Sequence, residues 1–313
     1  MATTWPDEVD RVIAGDMTAA LAYVTPAGGA VVTAVAPIGM RDRERGSVGF
    51  TTSLGFGKKL ERIRRNPRVA LAYHARKHGF ADGTRYVMVQ GDAELTLEPD
   101  RDLLETEIQP RAEPFLGPRK SGRFWDRWLQ EYYSDRVPVA VQAARVIDWP
   151  DDRAAGDPAV FGLPLPREPP PPQAPPAKGT GPRLDAEPAG KRLRALPNQL
   201  LAFVGADGYP EVVPVEVTSA SAESIELRAA RPLPRGGRRA GLLAHSYRAH
   251  LVGLATRGHT GWMSVGEDPL VAMYAPHSAF GFRAPSNKTL LLLANGLLAK
   301  RGLRRARRSA ASA

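Results

Sequence analysis

The sequence contains no cysteine. Disulfide frameworks, thiolate zinc sites, iron–sulfur clusters and cysteine nucleophiles are therefore excluded together. A chain without disulfides fits a reducing compartment, so a cytoplasmic location is expected. Long apolar runs are missing too. The most apolar stretch, Leu290 to Ala294, is far shorter than the ~20 residues a helix needs to span a bilayer. Met1 to Asp10 carries Asp7, Glu8 and Asp10 and no apolar run, so no signal peptide is expected there. These absences predict a soluble protein with no membrane partner. The six histidines (His74, His78, His245, His250, His259 and His277) show no ligand spacing such as H-E-x-x-H, and no metal is expected. The hydrolase elbow is absent, because Trp262 stands where the first glycine of Trp262 to Gly266 belongs. Thr52 and Lys59 break a phosphate-binding P-loop at both ends, and no G-x-G-x-x-G follows a strand.

What is present suits two globular units. The 313 residues exceed one average domain, and 43% hydrophobic with 24% charged residues is ordinary for a soluble fold. A net charge of +10 favours anionic partners such as phosphorylated cofactors. Part of that excess is Lys300, Arg301, Arg304, Arg305, Arg307 and Arg308, which read as a solvated basic tail. Nucleic acid is the competing reading for the tail but is not the expected partner.

A proline-rich run from Asp151 to about Arg194, centred on Pro169 to Pro172, divides the chain. Proline lacks a backbone donor and fixes φ, so an extended spacer is expected here. The expected organisation is residues 1–150, a linker at 151–194, and a second unit at 195–313. The two sides look alike. Leu21-Ala22-Tyr23-Val24 leads through Gly28 into Val31 to Ile38, and Leu201-Ala202-Phe203-Val204 leads through Asp207-Gly208 into Glu211 to Val217. Each reads as a β-hairpin. Pro37 and Pro214 fall at comparable places if the first turn is allowed extra residues, and Leu71 to His74 is similar to Leu243 to Ser246.

Within the first unit a helix is expected after an N-cap at Thr4, then the hairpin and a third strand from Ser47 to Thr52. A short helix from Gly57 to Arg65, ended by Asn66-Pro67, precedes strands at Val69 to Tyr73, Tyr86 to Val89 and Ala93 to Leu97. Two helices follow. The second carries Phe124, Trp125, Trp128, Leu129 and Tyr132 on one face, expected to turn toward the core. A strand from Val137 to Val146 closes the unit. Antiparallel strands with few helices predict a small barrel, mainly β (α+β), with a helical pair in the first unit.

One segment reads either as a phosphate-holding turn or as a surface turn with solvated lysines. In Phe50 to Leu60 a strand ends in Thr51, Thr52 and Ser53, a glycine-bearing turn follows, and a helix opens with Lys58 and Lys59. Hydroxyls, free amides and a helix N-terminus together can hold a phosphate. Two lysines in a first helical turn oppose the macrodipole, which an anion would offset.

Ala36-Pro37-Ile38, Gly49 to Ser53, Lys58-Lys59-Leu60, Arg65 to Leu71 and Val87 to Ala93 together resemble the pyridoxamine 5′-phosphate oxidase-like, flavin/deazaflavin oxidoreductase superfamily, over about residues 15 to 100. The resemblance implies two tandem split β-barrels of the FMN-binding type and a flavin-dependent oxidoreductase that transfers hydride to or from a small organic substrate. It implies FMN as cofactor, with the 8-hydroxy-5-deazaflavin coenzyme as the alternative. By position it assigns Thr51, Thr52 and Ser53 to the phosphate or ring, Lys58 and Lys59 to the phosphate, Pro37 and Ile38 to the ring lining, and Gln90 to the opposite strand. Family members usually dimerise with the cofactor between barrels, so the two units would form an intramolecular pseudo-dimer, open to further pairing as a homodimer. Trp262, His277 and Arg283 are candidates for the second unit's share of that site. The oxidase proper carries basic residues on its second strand, and Val31 to Pro37 has none. Ala230 to Arg239 lacks the hydroxyl triplet, so a degenerate second barrel is expected. The alternative is a non-catalytic barrel, or one binding haem or another tetrapyrrole.

Overall fold

The computed structural model describes residues 2–294, 296–297 and 300–301. In the first unit α1 (Asp7–Gly15) leads into β1 (Thr18–Val24), β2 (Ala30–Val35), β3 (Arg41–Asp42) and β4 (Ser47–Ser53). Then come α2 (Gly57–Arg65), β5 (Arg68–Ala75) and β6 (Tyr86–Leu95). An inserted helical layer follows: α3 (Arg101–Leu103), a π-turn at Leu104–Ile108, α4 (Gln109–Leu116) and α5 (Arg123–Ser134). β7 (Arg136–Trp149) and β8 (Ala159–Gly162) end the unit. The second unit contains α6 (Ala186–Arg194), β9 (Asn198–Val204), β10 (Pro210–Ala220), β11 (Ile225–Ala229), β12 (Gly236–Ser246), β13 (Ala255–Val265) and β14 (Val271–Arg283).

The strand orders are the same. The first sheet runs β2-β1-β5-β6-β7-β4-β3, and the second runs β10-β9-β12-β13-β14-β11 and closes through β10 paired with β11. Both units are therefore one antiparallel design repeated, and the mainly β, two-unit fold is what the chain adopts. The register gives the equivalences residue by residue. Leu21 opposes Leu71 as Leu201 opposes Leu242, and both hairpins turn over five residues between Val24 and Ala30 and between Val204 and Pro210. The turns being equal, Pro214 corresponds to Ala34, and Pro37 lies three residues further on, past the end of β2. The expected match of the two prolines does not hold.

A second mark of duplication was hidden in the sequence. β6 slips its register against β7 between Gln90 and Gly91, and β13 slips against β14 between Thr260 and Gly261. Traced from the aligned hairpins, these are the same position. A Cβ on Gly91 would sit 2.1 Å from the Gln142 carbonyl oxygen, and one on Gly261 would sit 2.2 Å from that of Ala275. Only glycine fits either bulge. The strands expected at Tyr86 to Val89 and Ala93 to Leu97 are in fact this one bulged strand, β6.

Alternation explains the unbroken apolar strands. Ala19, Leu21 and Tyr23 of β1 enter the first core, while Ala20 and Ala22 face the second unit. Both faces are covered, so the strand is buried throughout and does not alternate with polar residues. Opposite them lie Leu200, Ala202, Val212 and Leu243. Alanines on this face allow close approach, and at Gly241 the strands come nearer still: a Cβ there would lie 2.8 Å from the Ala30 carbonyl oxygen. Tyr86 Oη donates to the Val212 carbonyl across the same seam (2.7 Å).

The proline-rich run differs from the expected spacer. α6 lies inside it, with Pro188 in the first turn, where a missing N–H costs nothing. Ala186, Ala189 and Leu193 enter the second core, as Val9, Val12 and Ile13 of α1 enter the first. The stretch before α6 is stitched down. Gln173 donates its backbone N–H to Gly237 (2.8 Å) and its amide to Gly28 (2.8 Å), and accepts from the Arg239 backbone (3.0 Å). The cap of α1 is Pro6, two residues after the expected Thr4, and it makes no side-chain capping bond.

Candidate functional site

β4 ends at the mouth of the first unit, and its pleat sorts the hydroxyl triplet. Val48 and Phe50 belong to the core, so Thr52 points inward with them while Thr51 and Ser53 share the outer face. Thr52 is 2% exposed and its hydroxyl has no hydrogen-bond partner. Ser53 accepts from the Gly55 N–H (3.1 Å) and so caps the short 3₁₀ turn Leu54–Phe56 that leads into α2. Thr51 is left as the hydroxyl that faces the site.

Arg136, the first residue of β7, stands across from Ser53 in register. Its guanidinium donates to Thr51 Oγ1 at 2.7 and 3.1 Å and to the Thr51 carbonyl at 3.3 Å, with the Tyr132 ring 5.7 Å away. Lys59 places its ammonium 4.8 Å from the centre of the Phe56 ring. Burial, aided by the Arg136 charge, lowers the Lys59 pKa to about 7. No ion pair joins Lys58, Lys59 or Arg136 to a carboxylate among the described residues. Two cationic side chains thus lie within electrostatic reach of each other, with no carboxylate ion-paired to either among the described residues.

A cavity of about 90 Å³ adjoins Thr51, lined by Ala36, Ile38, Leu104, Ile108, Tyr132, Tyr133 and Arg136, with Arg101, Arg119 and Glu105 among its charged residues. The inserted helices form its roof. Arg119 ties the roof together, donating to Gln109 Oε1 (3.0 Å) and lying 4.5 Å from the Tyr133 ring centre. Burial raises the Tyr133 pKa to about 12. Ile38 has φ 46°, a conformation that a β-branched residue adopts only under strain, and it is buried at the cavity wall. Ile38, Leu104 and Ile108 continue into an apolar cluster with Tyr247, Leu251 and Leu254 of the second unit.

Thr51 and Ile38 line this one cavity, whereas the α2 lysine Lys59 feels the Arg136 charge without lining it. Pro37 is buried beside Ile38 but does not line the cavity, and Lys58 is exposed. Gln90 is committed elsewhere. Its amide donates to the Pro210 carbonyl (2.6 Å) and accepts from Arg145 Nε (2.5 Å), and Arg145 also bonds the Pro164 carbonyl (2.8 Å) and Asp207. Its polar atoms hold the two units together and do not reach the Thr51 cavity. Trp262 lies by Arg239 (5.8 Å), and His277 approaches the Thr180 carbonyl (3.5 Å). Neither lines the cavity, nor does Arg283 at the end of β14. The aromatic face of α5 is not core-facing as a whole: Leu129 is buried, Tyr132 turns to the cavity, and Phe124 is 60% exposed.

The equivalent place in the second unit lacks every part. Carrying the register through β14 and β11, Arg228 stands for Thr51, Ala229 for Thr52, Ala230 for Ser53 and Pro269 for Arg136. Nearby Arg231 is ion-paired with Glu211 (3.0 Å), and Arg238 donates to the carbonyls of Pro170 and Arg235 (3.1 and 2.9 Å). The roof is missing too, since residues 266–270 connect β13 to β14 where 96–135 connect β6 to β7.

A pair of equivalent histidines also meets across the seam. His74 Nε2 and His245 Nε2 are 2.7 Å apart, and His74 Nδ1 lies 2.9 Å from the Ala72 carbonyl. The carbonyl can only accept, so His74 carries its proton on Nδ1 and His245 donates from Nε2. The His245 Nδ1 lone pair is then buried without a partner. Burial lowers the His74 pKa to about 4 and that of His245 well below the ordinary value.

No protein-family model matches the chain, and no curated protein matches it. Among solved structures, a conserved hypothetical protein from Mycobacterium tuberculosis is similar over 49% of this chain and 88% of its own, with 23% identity and a TM-score of 0.36. General Stress Protein 26 from Bacillus anthracis is similar over 50% of this chain and 97% of its own, with 16% identity and a TM-score of 0.32. A pyridoxamine 5′-phosphate oxidase-related, FMN-binding protein from Nostoc punctiforme is similar over 42% of this chain and 73% of its own, with 15% identity and a TM-score of 0.29. Each likeness spans about one of the two units.

Proposed function

We propose that the chain is a flavin-type oxidoreductase whose first unit seats the cofactor phosphate against Thr51 and Arg136. The observation that carries this reading is the convergence of Arg136 and Lys59 at a hydroxyl-bearing strand end, with no carboxylate ion-paired to either among the described residues. A desolvated ammonium beside a guanidinium is unfavourable alone, and a phosphate dianion relieves both. The site would lie where the first unit meets Tyr247 and Leu251 of the second, in the pseudo-dimer that the paired barrels suggest.

The donor set suits a phosphate monoester. The ring end does not fit as the helices now lie, because about 90 Å³ is well short of the ~300–1,000 Å³ of ordinary ligand pockets. A flavin ring therefore needs α3–α5 to move outward from Thr51. When bound, a flavin or deazaflavin supplies the hydride chemistry itself. The chain's own part is to fix the phosphate, shape the apolar wall at Ile38 and exclude water under the roof. FMN is favoured over the deazaflavin coenzyme, whose carboxylate-bearing tail would call on α2 and β5 arginines. Arg65 is already paired with Glu61 (2.8 Å), and Arg68 lies over the Tyr209 ring (5.5 Å).

Titration of FMN and of riboflavin, which lacks the phosphate, against the purified chain tests this reading through quenching of flavin fluorescence. FMN should bind at least tenfold more tightly than riboflavin, and Arg136→Met with Lys59→Met should abolish the difference. Equal affinity for the two flavins would sink the phosphate assignment, and no binding of either would turn the reading toward a barrel that carries no flavin.

A further inference from the structure

The roof's outer surface carries an apolar patch that the first site does not use. Residues 288–294, 296–297 and 300–301 are helical and lie against α5, where Trp128 Nε1 donates to the Leu293 carbonyl (3.2 Å) and Lys120 donates to Thr289 (2.8 Å). A Cβ on Gly296 would lie 2.4 Å from Trp128 Nε1, so the two helical segments are in direct contact. On this surface Phe124 is 60% exposed, Leu290 55% and Leu297 42%. Phe124 is stacked with Trp128, their centroids 6.2 Å apart.

Cations surround these residues. Arg123, Arg127 and Arg301 are exposed, and Lys120 and Lys300 lie over the rings of Trp125 and Trp128 at 4.8 and 4.5 Å. Asp126 is the one exposed carboxylate on α5 whose side chain is described. Arg304, Arg305, Arg307 and Arg308 of the expected basic tail lie outside the described residues. Exposed aromatic and leucine side chains rimmed by lysine and arginine are the composition that settles in a headgroup layer. A second copy of the same face would bring cation against cation, which opposes self-association. A nucleic acid would be served by the charges but leaves Phe124, Leu290 and Leu297 in water.

We propose that the face built by α5 and residues 288–294 and 296–297 binds peripherally to an anionic lipid surface. The absence of a long apolar run excludes a spanning helix, but it places no bar on this mode. Apolar side chains enter the acyl boundary, the arginines and lysines meet lipid phosphates, and the two contributions reinforce each other.

Flotation of the full chain with vesicles tests the proposal, with phosphatidylglycerol–phosphatidylcholine mixtures set against phosphatidylcholine alone. The chain should float with the anionic vesicles only, release in high salt, and bind about tenfold more weakly after Phe124→Ser with Leu290→Ser. Both substituted residues are exposed, and circular dichroism checks that the variant is folded. Light scattering and a DNA-binding assay complete the test. Failure to float with anionic vesicles, or flotation unaffected by the double substitution, overturns the proposal. So does apolar self-association, or salt-sensitive DNA binding, in a chain that ignores vesicles. None of these outcomes touches the FMN titration, so the two readings fail separately.

Discussion

The two units share their strand order, hairpin turn length and bulge position, yet among the described residues only the first sets Arg136 and Lys59 near a hydroxyl-bearing strand end under a helical roof. The shared features sit at buried positions: Leu21 with Leu201, the bulge glycines, and a helix packed under each sheet. The differences sit at one strand end and in one connection. The fold is therefore maintained by positions that tolerate little change, while the proposed site rests on Thr51, Arg136, Lys59 and the helices between β6 and β7. A duplicated antiparallel unit can carry different residues at one strand end without losing its architecture.

The largest expected effect tests the shared part. Gly91→Val and Gly261→Val should each destabilise the chain by about 3 kcal/mol or more in urea unfolding, because both Cβ positions fall on a carbonyl oxygen. Tolerance at one position and not the other would break the equivalence of the bulges. Next comes a pair where the units differ. Arg145→Met should cost about 2–3 kcal/mol, since it strands Gln90 and Asp207, although Asp207 keeps some solvent. Its counterpart Ser278 makes only an exposed hydroxyl bond to Thr260 (2.6 Å), so Ser278→Ala should stay within about 0.5 kcal/mol. Equal costs would mean that the seam is held symmetrically.

A third effect concerns charge. Sulfate keeps its charge across neutral pH, so its binding reports on the protein alone. Its affinity should fall several-fold as pH rises through about 7, where Lys59 deprotonates, and Lys59→Met should remove that dependence. Arg228→Ala in the second unit should change nothing, and calorimetry at pH 6 and 8.5 decides between them. The smallest effect is a slope. Between pH 6.5 and about 4 the unfolded chain takes up protons that His74 refuses when folded, so stability falls as pH drops through that window. Asp16, raised to about 7 by burial, acts the other way and shallows the fall. His245→Leu should flatten the slope of the unfolding free energy with pH, and an unchanged slope would clear the pair.

Much of this was legible in sequence, for physical reasons. α2 matched its expected bounds because Leu60, Ile63 and the Asn66-Pro67 stop are local signals. The β4 pleat was legible in principle as well: alternation alone separates Thr52 from Thr51 and Ser53, and reading the three as a unit overlooked it. Arg136 gave no signal, since its role comes from pairing across 83 residues in register with Ser53. Gln90 misled because a polar residue on an apolar strand suits a buried seam as well as a ligand. α6 was hidden by proline content, although Pro188 in a first turn favours a helix. The bulge at Gly261 lay unread because its flanks, His259-Thr260 and Trp262-Met263, share no residue with Val89-Gln90 and Asp92-Ala93.

The most direct test of the asymmetry is the number of FMN molecules bound per chain, measured by calorimetry on the intact protein and on Arg136→Met. One molecule per chain, lost in the variant and retained in Arg228→Ala, is the predicted result. Two molecules per chain, or one that survives Arg136→Met, would contradict a site confined to the first unit.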